Sequence, residues 1–106
     1  MREKSRSEQE ADRRQAEICK AFANPTRLRL IDLLGRKERW SSELQAGLGI
    51  SKANLSQHLS ILKSAGIVFT SRVGKRLHCG LSMPGAKQTA ALLRSMTKSH
   101  QRRRLG

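Results

Sequence analysis

Residues 51–64 read SKANLSQHLSILKS, with Leu55, Leu59 and Leu62 at i, i+4 and i+7, the spacing of one buried helix face. At 100° per residue, Ala53, Gln57, Ser60 and Ser64 gather on the opposite side, which is small, polar and uncharged. Small residues allow such a face to approach a DNA major groove closely. It presents no carboxylate to phosphate, and Gln57 with nearby Asn54 can pair with an adenine edge. Arg72, Lys75 and Arg76 follow at the tip of an expected β-hairpin, placed to meet backbone phosphates or enter a minor groove. Lys52 and Lys63 flank the helix face and suit phosphate contacts better than base reading. The plainer readings are a solvated helix face and a strand edge guarded by charge. The face has no Lys, Arg or Glu and the tip follows it directly, which favours DNA.

The charge distribution points the same way. There are 22 Lys and Arg against 8 Asp and Glu, a formal charge of +14, and every acid lies at or before Glu43. Residues 44–106 carry 11 bases and no acid. Such an uncompensated field attracts a polyanion, nucleic acid first and anionic membrane second. Solubility alone does not require 63 consecutive residues without a carboxylate. No apolar run approaches the roughly 20 residues of a membrane span, and the start MREKSRSEQE lacks the apolar core of a secretory signal. A cytoplasmic protein without a membrane partner is expected.

The chemistry of an enzyme is missing. The sequence has no G-x-x-x-x-G-K-[ST] phosphate loop and no H-E-x-x-H, and no acid after Glu43 could orient a histidine or form a carboxylate pair. Met83, Met96, His78 and His100 form no spaced ligand set, so neither metal nor cofactor is expected. Cys19 and Cys79 are too few and too far apart for a disulfide framework or a zinc ribbon. Cys19 lies at the edge of an apolar helix stripe, and Cys79 shares a strand face with Leu77 and Leu81; both read as small core residues. A thiol switch at Cys19 and Cys79 is the alternative, and it needs thiolate character and access.

The elements that must position these residues are legible in outline. A first helix is expected from Ser7, whose S-x-x-E reaches Glu10, with a thin apolar stripe of Ala11, Ile18 and Phe22 and an exposed Glu10–Arg14 pair. Asn24-Pro25 starts a second helix, central to the core through Leu28, Ile31 and Leu34, and Gly35 should stop it. A short third helix begins at Ser42 with S-x-x-Q and breaks at Gly49-Ile50. Ser51 caps a fourth from Lys52 to Ala65. Two short helices across a Gly-containing turn are a helix-turn-helix. Ile67-Val68-Phe69-Thr70 and the alternation Leu77, Cys79, Leu81 then make a two-stranded hairpin about Gly74. A last helix starts near Ser82 and Pro84, with Ala86, Ala90, Leu93 and Thr97 on one face and Leu92 and Met96 at its flank. The tail KSHQRRRLG should be mobile. Trp40 reads as a plug beside a helix cap.

The runs AFANPTRLRLIDLL, SSELQAGLGISKANLSQHLSILKSAGIV and SRVGKRLHCGL resemble the ArsR-type winged helix-turn-helix repressors over about Ile18 to Met96. The resemblance implies a dimer formed by the first and last helices, here through Ala11, Ile18, Phe22, Ala86, Ala90, Leu93 and Met96. It also implies release from an operator when an inducer binds. Ser56, Gln57 and His58 would lie in the recognition helix near DNA, with His58 at its border in a packing or phosphate role. Metal-sensing members carry a cysteine pair where this sequence has Trp40 and Ser42, or Asp and His ligands on the last helix, where it has Pro84, Ala86 and no acid.

The reading is therefore one winged helix-turn-helix domain over residues 1–106, mainly α with a two-stranded β-wing, its core spanning about 7–97 and a basic tail 98–106. It is expected to bind double-stranded DNA as a homodimeric repressor, through Ser51, Lys52, Ala53, Asn54, Ser56, Gln57, His58, Ser60, Lys63, Arg72, Lys75 and Arg76. The inducer is unknown. A basic protein that binds DNA or RNA without sequence choice is the alternative, and an interaction module that lost its operator is a third.

Overall fold

Four of the five helices begin where an oxygen satisfies amides that the first turn leaves free. The computed structural model describes residues 3–105, with side chains described as far as Lys98. Helix α1 (Arg6–Phe22) is capped by Ser5, whose Oγ accepts from the Glu8 amide at 3.2 Å. The operative S-x-x-E thus begins two residues before the expected Ser7. In α2 (Pro25–Arg36), Asn24 Oδ1 accepts from the amides of Thr26 and Arg27 at 2.9 and 3.1 Å. Helix α3 (Ser41–Leu48) follows strand β1 (Arg39–Trp40), and the Glu43 carboxylate reaches back to the Trp40 amide at 3.1 Å. That replaces the expected Ser42–Gln45 start, because a carboxylate in the first turn also meets the positive end of the helix dipole. Ser51 caps α4 (Lys52–Ser64) through the Asn54 amide at 3.1 Å.

Between α3 and α4, Gly49 adopts φ +65°, a left-handed conformation open to glycine at little cost. This makes the turn of the helix-turn-helix. Strands β2 (Val68–Val73) and β3 (Arg76–Leu81) form the antiparallel wing. The sheet has three strands in the order β1-β3-β2, since Arg39 pairs with Cys79 and Trp40 with His78. The expected two-stranded hairpin gains this edge because two residues suffice to pair but are too few to show a period of two.

Leu30, Ile31, Leu44, Leu62, Ile67 and Cys79 are the largest fully buried side chains, drawn from α2, α3, α4 and the sheet. Leu55 and Leu59 join them, so the i, i+4, i+7 face of α4 is the buried one. Helix α5 (Ala86–Leu105) lies against α2. Gly35 does not stop α2. A Cβ there would lie 3.0 Å from the Lys87 stem, so it serves the close approach of α5 rather than a chain reversal.

Several expectations about the helix faces are corrected. Phe22, Ala86 and Ala90 are buried in the chain's own core, and Phe22 and Ala86 also form part of the floor of a groove beside α1 and α5. Ala11 is exposed, Ile18 half-buried, and Leu93 and Met96 are 39% and 61% exposed, alongside Leu92 at 63%. Arg14 does not meet Glu10; it crosses to α4 and donates to the Ala65 carbonyl at 2.9 Å, where that helix ends. Helix α5 continues to Leu105, past the expected end near Thr97, because Lys, Gln, Arg and Leu all favour helix and no glycine intervenes. The side chains of the arginine run in the expected tail, and that of His100, lie outside the described residues.

Candidate nucleic-acid interface

Helix α4 is held by its leucine face, which turns the other face outward. Ser51, Lys52, Ala53, Asn54, Ser56, Gln57, Ser60 and Lys63 are all exposed, as are Arg72, Lys75 and Arg76 on the wing. They divide into two sets by angle. Lys52, Ser56, Ser60 and Lys63 turn toward the wing and, with Arg72, Lys75 and Arg76, line a concavity of about 480 Å³ between α4, the start of α3 and the hairpin. Ala53, Asn54 and Gln57 lie outside that lining, on the outward crest of α4.

Five cations and no acid line the concavity. Its low, one-signed walls suit a strand of phosphodiester backbone, while the crest of α4 has the size and hydrogen-bonding groups to meet base edges. Ser41, Ser42, Gln45 and Thr70 line it as well. None of the four was expected at a DNA contact: Ser42 and Gln45 read as a helix start, and a lone serine or threonine carries no periodic signal. Ile61 is 44% exposed on the outer side of α4, so that side is less uniformly polar than the sequence suggested.

His58 is half-buried at the edge of this surface, where its Nδ1 accepts a 3.3 Å hydrogen bond from the Arg27 guanidinium. Burial first, and the neighbouring Arg27 charge second, push its pKa below the ordinary histidine value. The ring is therefore neutral at pH 7, with its proton on Nε2.

Trp40 is half-buried as expected of a plug, yet one face of its indole is covered by Arg76, whose Cζ lies 3.7 Å from the ring centroid. The two thiols behave differently. Cys79 is fully buried, as expected, and burial raises its pKa, whereas Cys19 is exposed and is not a core residue. Cys19 misses the core because α1 packs through Ala21 and Phe22, which turns the edge of its stripe toward solvent. Among the described residues no group of three or more His, Cys, Asp or Glu is placed to hold a metal ion, and no helix is long and apolar enough to cross a membrane.

Comparison with known proteins agrees with this architecture. Residues 22–68 match the helix-turn-helix domain family. The HTH-type transcriptional regulator Rv0081 of Mycobacterium tuberculosis is 33% identical over 82 residues, covering 76% of this chain and 72% of that protein. A probable mercury resistance operon repressor of Streptomyces lividans is 37% identical over 81 residues, covering 76% of this chain and 65% of the relative. A homodimeric winged helix-turn-helix DNA-binding domain from Mycobacterium bovis, described as a possible ArsR-family regulator, superposes with a TM-score of 0.81 at 28% identity. It covers 95% of this chain and 94% of that one. The chain belongs to the ArsR-type winged helix-turn-helix transcriptional regulators, which are DNA-binding proteins and not enzymes.

Proposed function

We propose that this regulator is a cytoplasmic homodimeric repressor that holds an inverted-repeat operator in double-stranded DNA and leaves it on a signal. The observation that carries the reading is the acid-free surface formed by the outward crest of α4 and the cationic concavity beside it. Gln57 and Asn54 are the base readers, with Ala53 and Ser51 allowing close approach. Lys52, Lys63, Arg72, Lys75 and Arg76 neutralise phosphate, and Ser56 and Ser60 lie beside them. His58 steadies α4 from within.

The dimer is supported by what α1 and α5 leave uncovered. A groove of about 630 Å³ between them is lined by Ile18, Phe22, Leu28, Met83, Leu93 and Met96 among others, almost entirely apolar. The M. bovis domain is homodimeric and the S. lividans relative is a probable repressor, which favours the same for this chain. Two copies would set their recognition helices about 34–36 Å apart, in successive major grooves on one side of the duplex.

Selection of binders from a random duplex library at physiological salt, with excess competitor, tests the reading. Recovery of a two-fold symmetric motif with half-sites one helical turn apart supports it. Recovery of no motif, with binding that vanishes as salt rises, replaces it by a basic nucleic-acid binder without sequence choice, a reading that the charge of +14 favours.

A further inference from the structure

Arg76 differs from every other arginine whose contacts the structure defines. Arg14, Arg27 and Arg39 each donate to main-chain carbonyls, and Arg94 pairs with Asp32. Arg76 is exposed, and no acceptor occupies its N–H groups among the described residues, yet it is not loose: its guanidinium carbon sits over the Trp40 ring, 3.7 Å from the centroid. A cation over an indole face is attracted by the ring quadrupole, a contact that uses none of the guanidinium's N–H hydrogen bonds and leaves them for an external acceptor.

The indole is itself fixed from three directions. Its backbone pairs with His78 in the β1–β3 ladder, and its amide is held by Glu43 at the start of α3. Its ring meets the His78 ring edge-on, with centroids 4.9 Å apart at 61°. The platform therefore belongs to the junction of the sheet with the helix-turn-helix, while the arginine it carries belongs to the wing. Both line the concavity that also holds Lys52, Lys63, Arg72 and Lys75.

We infer that Trp40 is a positioning residue for DNA binding: it holds the Arg76 guanidinium in the orientation that accepts one backbone phosphate, two N–H groups to two oxygens. The inference rests on the DNA-binding site proposed above and adds the residue that organises its wing. A bidentate fork on phosphate is worth more when the guanidinium need not be ordered at the moment of binding. Lys75 and Arg72, with no such platform, act as mobile charges.

The chain contains a single tryptophan, so the platform reports on itself. The test titrates full-length protein with end-labelled duplex DNA, following label anisotropy and indole emission together, for wild type, Trp40→Leu, Trp40→Phe, Arg76→Lys, Arg76→Ala and the Trp40→Leu/Arg76→Ala double variant. Expected are an indole change with the same midpoint as the anisotropy, and a loss of about threefold to tenfold for Trp40→Leu and for Arg76→Lys. Most of the affinity should return in Trp40→Phe. In the Arg76→Ala background, Trp40→Leu should cost less than about twofold, because nothing remains to be positioned. An equal loss from Trp40→Leu in both backgrounds, or wild-type affinity in Arg76→Lys, overturns the inference; the latter variant lies on the exposed wing and does not depend on refolding the junction. A wild-type protein that binds no duplex at low salt instead overturns the DNA reading itself. Quenching by inorganic phosphate equal to that by duplex shows an anion site without a nucleic-acid role and also overturns the inference.

Discussion

Arg27 joins the head of α2 to the middle of the recognition helix, its terminal nitrogen donating to Nδ1 of His58 at 3.3 Å. The same guanidinium donates through Nε to the Ala21 carbonyl at 2.8 Å and through its second terminal nitrogen to the Lys20 carbonyl at 3.0 Å. Both carbonyls lie in the last turn of α1, where the Lys20 carbonyl also accepts from the Ala23 amide at 3.1 Å. One rigid fork thus closes α1 and braces α4, a task that the point charge of a lysine cannot share out in the same way.

Replacing Arg27 by Met should cost about 1.5–3 kcal/mol in urea unfolding, with Arg27→Lys recovering only part of it. It should also raise the His58 pKa, since a repelling charge is removed, while leaving it below the ordinary value because burial is the larger cause. In wild type the unfolded chain takes up this proton near about pH 6.5 and the folded chain only at lower pH. The associated stability is therefore complete above that value and is lost as pH falls through the folded pKa. Histidine resonances followed by NMR across pH 4–8, beside melts at the same values, check both signs.

Gly80 faces Phe69 across the wing, and a Cβ on it would lie 2.4 Å from Phe69 Cε1. Gly80→Ala should destabilise by about 1–3 kcal/mol, and combining it with Phe69→Leu should recover part of that by removing the obstructing ring edge. Thermal melts of the two single variants and the double variant read this directly. Additive losses would show that the cost at position 80 does not come from the Phe69 ring.

The thiols should separate under native conditions. An aromatic disulfide reagent should react first at Cys19 and reach Cys79 only on unfolding, because Cys79 is buried and its thiolate is disfavoured. Cys19 is exposed in the single chain but lines the α1–α5 groove, so it should react more slowly in the dimer. The raised Cys79 pKa also means that stability held below about pH 8.5 is lost as pH rises through the folded value. If blocking Cys19 leaves oxidant-driven operator release intact, the thiol switch loses its only accessible member.

Leu92→Glu or Met96→Glu should convert a dimer to a folded monomer in sedimentation equilibrium, since both side chains are more than 60% exposed on α5. Ala90→Glu should instead lose the fold, because Ala90 is 4% exposed and a buried unpaired charge has no compensation. A dimer that survives both exposed substitutions places its interface elsewhere.

Much of the candidate site was legible because it depends on one helix and one hairpin. Leu55, Leu59 and Leu62 are buried at the spacing the sequence displays, which settles that Gln57 and Ala53 face outward. Asn24-Pro25 and Ser51 cap their helices as read, because a cap is a contact between neighbours in the chain. Less was legible on α1 and α5. Ala86 and Ala90 share an apolar side with Leu93, and periodicity alone does not say that the chain's own core covers the alanines while leaving Leu93 partly open.

The amino-acid sequence by itself determined the order of the five helices and the wing hairpin, the buried face of α4, and a second half of the chain that carries cations without acids. These follow from period, capping and charge count, which act over a few residues or over composition. The tertiary structure alone decided that Arg14 ends on Ala65, that Arg27 holds His58, that Cys19 is exposed, and that Arg76 rests on Trp40. Arginine has five donors on a long flexible stem, so its partner is whichever acceptor or ring packing brings within reach. Of these three arginines, Arg14 and Arg76 are joined to residues 51 and 36 positions away, distances over which no local pattern carries information.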